Sequence, residues 1–181
     1  MKIKSLPVPH IQQSSSSSCG AATLAMIYSY NNYKRNEEEI WSSIKKPRPS
    51  VPGEYYIETL DLIKDAKANG FFSVCGRMDL EDVDLIKRHI SYFINNSVPF
   101  IACKQWTNPV LGHFVVVYGI SNDYIKIKDP ELKNASKIKI KKFVNEWMAT
   151  GAEVTGGIFI LVVPESKKSA INHKMNGINW L

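Results

Sequence analysis

Cys19-Gly20-Ala21-Ala22-Thr23-Leu24-Ala25-Met26-Ile27-Tyr28 is apolar on almost every side of a helical wheel. A helix with no polar face has no side to turn to water, so this stretch reads as a central helix that other elements cover. It spans 19–30, and Asn31 and Asn32 end it. Ser18 suits the N-cap position in front of it. The first residue of the helix is a thiol. A cysteine at a helix N-terminus faces unpaired backbone N–H groups, which favour the thiolate, the form that attacks. The plain alternative is a structural thiol, because free cysteine is among the most buried residue types. Gly20 beside it leaves room for the backbone of a bound chain.

Upstream lies an extended arm with Pro7 and Pro9, then the run Ser14 to Ser18, which reads as a mobile loop rather than a set of nucleophiles. Downstream, 37–45 reads as a short helix, and 46–55 as a loop because it holds three prolines and Gly53. A helix follows over 59–69, with Gly70 as its terminator. Residues 71–75 form a strand. Asp79 is expected to cap a helix over 80–95, with Val83, Ile86, Ile90 and Phe93 on one face. The second half is mostly strand: 99–106, 113–120, 124–129, 137–140 and 157–163, with a short helix over 143–149. The turns between neighbouring strands are short, which implies antiparallel pairing. The pattern is α+β, a buried N-terminal helix packed on an antiparallel sheet. Residues 1–163 make one domain, and 164–181 turn polar and read as a tail or loosely docked segment.

The 181 residues suffice for one domain with a real core. Hydrophobic content of 44% and charged content of 22% are ordinary for a soluble globular chain. No apolar run approaches the roughly 20 residues that span a bilayer. The N-terminal residues carry positive charge but no apolar signal region, so the cytoplasm is the expected compartment. The net charge of +6 is spread over apparent surface positions, and the lysines of 137–142 alternate as on an exposed strand. No nucleic-acid partner is expected from this.

The cysteines are Cys19, Cys75 and Cys103. An odd count without close pairs argues against a disulfide scaffold and a structural zinc site. Cys75 and Cys103 sit in apolar strands. Histidine offers four candidates: His10 in the arm, His89 near the apolar face of a helix, His113 at the mouth of an apolar strand, and His173 in the tail. His113 is the most rigidly held, as a general base must be, and His10 is its rival because it lies near Cys19 in the chain. If 113–120 and 124–129 pair as a hairpin, His113 and Asp129 fall at the same open end, where a carboxylate can set the imidazole tautomer. Asp123 reads as a turn residue. Gln12 and Gln13 are both amide donors near Cys19, suited to an oxyanion. No metal spacing, phosphate-cradling loop or dinucleotide fingerprint is present, so no cofactor is expected.

Taken in order, Val8-Pro9-His10-Ile11-Gln12-Gln13, then Cys19 to Met26, then His113-Phe114-Val115-Val116-Val117-Tyr118-Gly119-Ile120, then Ile127-Lys128-Asp129-Pro130, resemble the C39 peptidases. Phe143-Val144-Asn145-Glu146-Trp147 also matches the family's segment after its triad, and the resemblance spans about 7–163. These are papain-like cysteine proteases, found at the N-terminus of bacteriocin-exporting transporters and as stand-alone relatives. The resemblance implies a papain-like fold and a triad of Cys19, His113 and Asp129. The family's glutamine stands six positions before its cysteine, which selects Gln13 over Gln12 for the oxyanion hole. It implies peptide-bond hydrolysis through a thioester, a peptide or protein substrate such as a leader or precursor peptide, and association with an exporter or another partner protein. Trp106 is a candidate to line the cleft, although a core tryptophan is the plainer reading. Ser18 departs from the aspartate that many exporter-linked members carry before the cysteine. Transfer of the acyl group to an amine, and peptide binding without cleavage, are the other readings of the same residues.

Overall fold

A computed structural model of the chain describes residues 4–49, 51–79, 82–105, 112–151, 154–171 and 174–181. The first long element is α1 (Cys19–Tyr30), buried at every position from Cys19 to Tyr28. The all-round apolar pattern therefore gives what it predicts, a helix enclosed on all sides. It ends at Asn31, and Asn32 takes the left-handed conformation (φ 59°) that asparagine tolerates. Ser18 does not cap α1 through its side chain. Its hydroxyl is committed to the serine run, and only its carbonyl receives a helix N–H, from Ala22 at 3.0 Å.

α2 (Glu37–Ile44) starts from a capping box in which Asn36 and Glu39 exchange side chain-to-backbone hydrogen bonds. The proline-rich segment after it holds a small ribbon, β2 (Lys46–Pro47) with β3 (Tyr55–Tyr56). α3 (Thr59–Ala68) follows, and Gly70 at φ +79° turns the chain into β4 (Phe71–Met78). The next helix, α4, runs over Val83–Asn95 and is capped by Asp82, whose carboxylate accepts from the N–H groups of Asp84 and Leu85. Asp79, the cap expected from sequence, is drawn away by Arg77 at 3.2 Å and by the Asn179 amide. Leu80, the expected first helical residue, lies outside the described residues.

The next elements are β5 (Phe100–Gln105), β6 (Gly112–Ile120), β7 (Tyr124–Lys128), β8 (Ser136–Lys139), α5 (Ile140–Met148), β9 (Ile158–Pro164), a 3-10 helix (Glu165–Ala170) and β10 (Ile178–Trp180). The described strands form an antiparallel sheet in the order β10-β4-β9-β5-β6-β7-β8, and β1 (Lys4–Ser5) adds to the far end of β6. Gly119 permits that addition, since a Cβ there would lie 2.9 Å from the Lys4 carbonyl oxygen. The segment read as a polar tail contributes the edge strand β10, which pairs with the end of β4.

Helices cover both faces of the sheet. Phe93 of α4 and Trp147 of α5 stack their rings on Phe100 and Phe159, with centroids 5.7–6.3 Å apart. Gly20 and Tyr28 of α1 meet Phe114 and Phe71, whose strand positions point to the opposite face. β6 lies between the two helical layers, and Val115, Val116 and Val117 are fully buried. This explains its continuous apolar run, which does not alternate. A strand held on both sides fixes whatever stands at its mouth, and that residue is His113.

Candidate active site

Cys19 opens α1 and retains 9% exposure, the edge of an otherwise closed helix. No acidic side chain occupies the first turn, so the positive end of the helix dipole is not offset there. Gly20 serves packing more than access: a Cβ would sit 3.3 Å from the Phe114 ring and 3.5 Å from both Ile57 and Leu62. The missing side chain lets α1 seat closely on β6, and this brings the thiol to the strand mouth.

His113 is 2% exposed, and its Nε2 lies 2.6 Å from Asp129 Oδ1. The hairpin of β6 and β7 produces this pair. Val116 faces Lys128 and Val117 faces Ile127, so the ends beyond them converge, and Asp129 is the first residue after β7. Asp129 Oδ1 also accepts the Glu131 N–H at 3.1 Å. Nε2 is taken by Asp129, and Cys19 lies near enough to the ring to act on its charge and to share the cleft with it. Burial pulls the imidazolium down. The hydrogen bonds and charges of Asp129 and Cys19 outweigh that and lift His113 to about 9. Burial likewise pushes the Asp129 carboxyl up, but the His113 hydrogen bond and charge, helped by the Glu131 N–H, hold it below the usual range. The arrangement keeps a proton on the ring and a negative charge on Asp129 beside it.

The thiol opens into a cleft of about 580 Å³. Ser16, Ser17, Cys19 and Gly20 line it on the α1 side, Cys103, His113 and Phe114 from the sheet, and Tyr56–Leu60 from the approach to α3. Cys103, in an apolar strand as read from sequence, is only partly buried. It lines the cleft near Cys19, but burial, then the Cys19 charge, pushes it up to about 12, so it stays a neutral thiol. Cys75 is buried in β4, and desolvation raises it as well.

The other candidates separate. His10 stands outside the pair, with Nε2 2.6 Å from the Leu132 carbonyl oxygen. His89 meets the Asn176 carbonyl at 2.9 Å from α4. His173 and Trp106 lie outside the described residues. Gln12 is exposed. Gln13 is anchored beside the pair, because its backbone N–H donates to the Pro130 carbonyl at 2.9 Å. Its side-chain Nε2 donates to the Ser15 carbonyl at 2.8 Å, and its Oε1 is buried with no hydrogen-bond partner. Gln13 is not among the residues lining the cleft. Ligand atoms of His113, Asp129 and Glu131 lie within 4.8 Å of one another. Two of them already bond each other and the third is exposed, so the cluster reads as the end of the His–Asp pair rather than a metal centre. Sequence reasoning missed Cys103 and the buried acid Glu37 behind the serine run. Only the burial of Glu37 marks it, and three acids in a row do not reveal which one turns inward. No helix among the described residues is long and apolar enough to cross a membrane.

A search of curated proteins finds no significant match. Among solved structures, the chain is similar to the double-glycine-motif protease of an AMS/PCAT transporter in complex with its leader peptide (23% identity, TM-score 0.66, covering 89% of this chain and 94% of that one). It is also similar to the peptidase domain of Streptococcus ComA, a bifunctional ABC transporter of a quorum-sensing pathway (21% identity, TM-score 0.64, 87% and 99%). A C39-like peptidase from Bacillus anthracis shares 17% identity at TM-score 0.69, with 91% and 99% covered. At these identities the likeness establishes a shared papain-like fold. The model of the peptidase C39 family matches residues 7–155, most of the chain, and the chain therefore belongs to the peptidase C39 family.

Proposed function

We propose that this protein is a cysteine peptidase that hydrolyses a peptide bond through a Cys19 thioester. The observation that carries the reading is that Cys19 and His113 line one cleft, with His113 hydrogen-bonded to Asp129 at 2.6 Å behind it. The Cys19 thiolate attacks the scissile carbonyl carbon, and the carbonyl oxygen takes up negative charge. The Gln13 amide and the Cys19 backbone N–H are the proposed donors to that oxyanion. Protonated His113 gives its proton to the leaving amine, the C–N bond breaks, and a thioester on Cys19 remains. His113, now neutral, takes a proton from water. The hydroxide equivalent attacks the thioester, and the thiol leaves as thiolate beside the reprotonated ring. Asp129 holds the ring orientation and stabilises its charged form in both half-reactions.

The proposed substrate is a precursor peptide carrying a leader; the double-glycine-motif protease to which this fold is similar is in complex with a leader peptide. The test is incubation with peptides that carry a Gly-Gly junction and with matched peptides that lack it, with products identified by mass. Cleavage by the native protein and none by Cys19→Ala is the expected result. An amine added as a competing acceptor separates hydrolysis from acyl transfer: a product capped by the amine in place of the free acid would make the protein a transferase.

A further inference from the structure

The serine run has no part in the acyl-transfer steps, yet it is tied down at both ends. Its hub is the Ser15 carbonyl, which accepts from Gln13 Nε2 at 2.8 Å, from the Ser18 hydroxyl at 3.1 Å and from the Ser18 N–H at 3.3 Å. The Ser15 N–H returns a bond to the Ser18 hydroxyl at 3.1 Å. The run is also held from outside. The Ser14 N–H and the Ser14 hydroxyl both donate to Glu37 Oε1, at 3.3 Å and 3.0 Å. The expected mobile loop is thus a closed set of hydrogen bonds between the Gln13 amide and the helix that bears Cys19.

Glu37 is the first residue of α2 and is 7% exposed. An acid in a first turn ordinarily complements the helix dipole from solvent. Glu38 and Glu39 are exposed and do that, and Glu39 also closes the capping box. Glu37 alone of the three is turned inward. A buried carboxylate costs free energy unless hydrogen bonds compensate it, and the bonds it accepts come from Ser14.

The geometry points to Glu37 as a positioning residue for the oxyanion hole. Through Ser14 it fixes the run, and through the Ser15 carbonyl the run fixes the Gln13 side-chain amide. An amide nitrogen carries two hydrogens. One is held by Ser15, which sets the amide plane, and the second is left for a developing oxyanion. The catalytic half of this inference rests on the peptidase reading above; the positional half does not.

Two measurements keep these halves apart. The first is the ¹⁵N–¹H signal of the Gln13 side-chain amide, which needs no substrate. Glu37→Ala is expected to move it toward the free-glutamine position, Glu37→Gln to keep it near the native position because an acceptor oxygen remains, and Glu38→Ala to leave it unmoved. A native signal in Glu37→Ala overturns the proposal. The second is turnover of a Gly-Gly peptide. Glu37→Ala is expected to lower kcat by about 10- to 100-fold, the scale of a misplaced catalytic group, with KM within about twofold and with Cys19 alkylation near native. Glu37→Gln should recover most of the loss. In a Gln13→Ala background, Glu37→Ala should add less than about twofold, because it acts through the amide already removed. Full additivity would make Glu37 merely structural and overturn the proposal. If the native protein cleaves no peptide while the amide signal responds as described, the peptidase reading fails and the positioning of Gln13 by Glu37 stands.

Discussion

Asp129→Asn isolates the charge of Asp129 from its geometry. Asparagine presents a carbonyl oxygen where Asp129 Oδ1 now sits 2.6 Å from His113 Nε2, so the ring keeps an acceptor and its orientation. What it loses is a negative charge beside the imidazolium. Raising His113 from 6.5 to about 9 corresponds to about 3 kcal/mol in favour of the charged ring, with Asp129 the leading favourable contribution and Cys19 the next. A pair of unit charges about 4 Å apart in a partly screened interior attracts by at most about 4 kcal/mol, so the scale is reasonable. Removing the Asp129 charge should lower the His113 midpoint by about one to two pH units, or about 1 to 3 kcal/mol. Because the folded value is raised, the ring's contribution to stability is complete below about 6.5. It is lost as pH rises through about 9 in the native protein, and at correspondingly lower pH in the variant. The direct assay is an NMR titration of the His113 ring carbons, with the pH dependence of kcat beside it. The alkaline limb of kcat should follow the ring, since the leaving amine needs its proton. An unchanged His113 midpoint in a folded Asp129→Asn protein would refute the electrostatic role and leave Asp129 as a hydrogen-bond acceptor only.

Iodoacetamide at neutral pH should label Cys19 rapidly and leave Cys75 and Cys103 largely intact, because burial holds both of the latter as neutral thiols; peptide mapping reads this, and preferential labelling of Cys103 would contradict it. His113→Ala should slow that alkylation strongly, whereas His10→Ala should not, since His10 is spent on the Leu132 carbonyl; sensitivity at His10 would break the assignment. Tyr28→Phe should cost about 1 to 3 kcal/mol in urea unfolding at constant m, because the Tyr28 hydroxyl bonds buried Asp65 at 2.6 Å and Asp65 also anchors Arg35 at 2.9 Å. An unchanged midpoint would mean that Asp65 is satisfied without it.

The parts legible in the sequence are those governed by short-range rules. Enclosure of α1 follows from its lack of any polar face, and burial of β6 from an apolar run that does not alternate. The meeting of His113 with Asp129 follows from hairpin geometry, because a turn at 121–123 places both at the open end. Parts that depend on tertiary competition were not legible. Asp79 and Asp82 are both good caps, and Arg77 with Asn179 decides between them. Ile178-Asn179-Trp180 is too short to read as a strand until β4 supplies a partner. Ser18 looks like a cap until its hydroxyl is seen committed to Ser15. Cys103 looks like any strand thiol until α1 is laid across β6 and the cleft opens beside it. The His113–Asp129 pair was readable because both residues are fixed to element ends, whereas the inward turn of Glu37 onto Ser14 depends on a side-chain direction that no local pattern sets.

The central claim is that Cys19 forms a covalent acyl intermediate with a peptide. The most direct measurement is intact-mass spectrometry after rapid acid quench of the native protein mixed with a Gly-Gly peptide. The account predicts a transient mass increase equal to the acyl fragment, mapped to Cys19, appearing before the hydrolysed product and absent from Cys19→Ala. Bound peptide with no adduct and no cleavage, or an adduct mapped to Cys103, would contradict it.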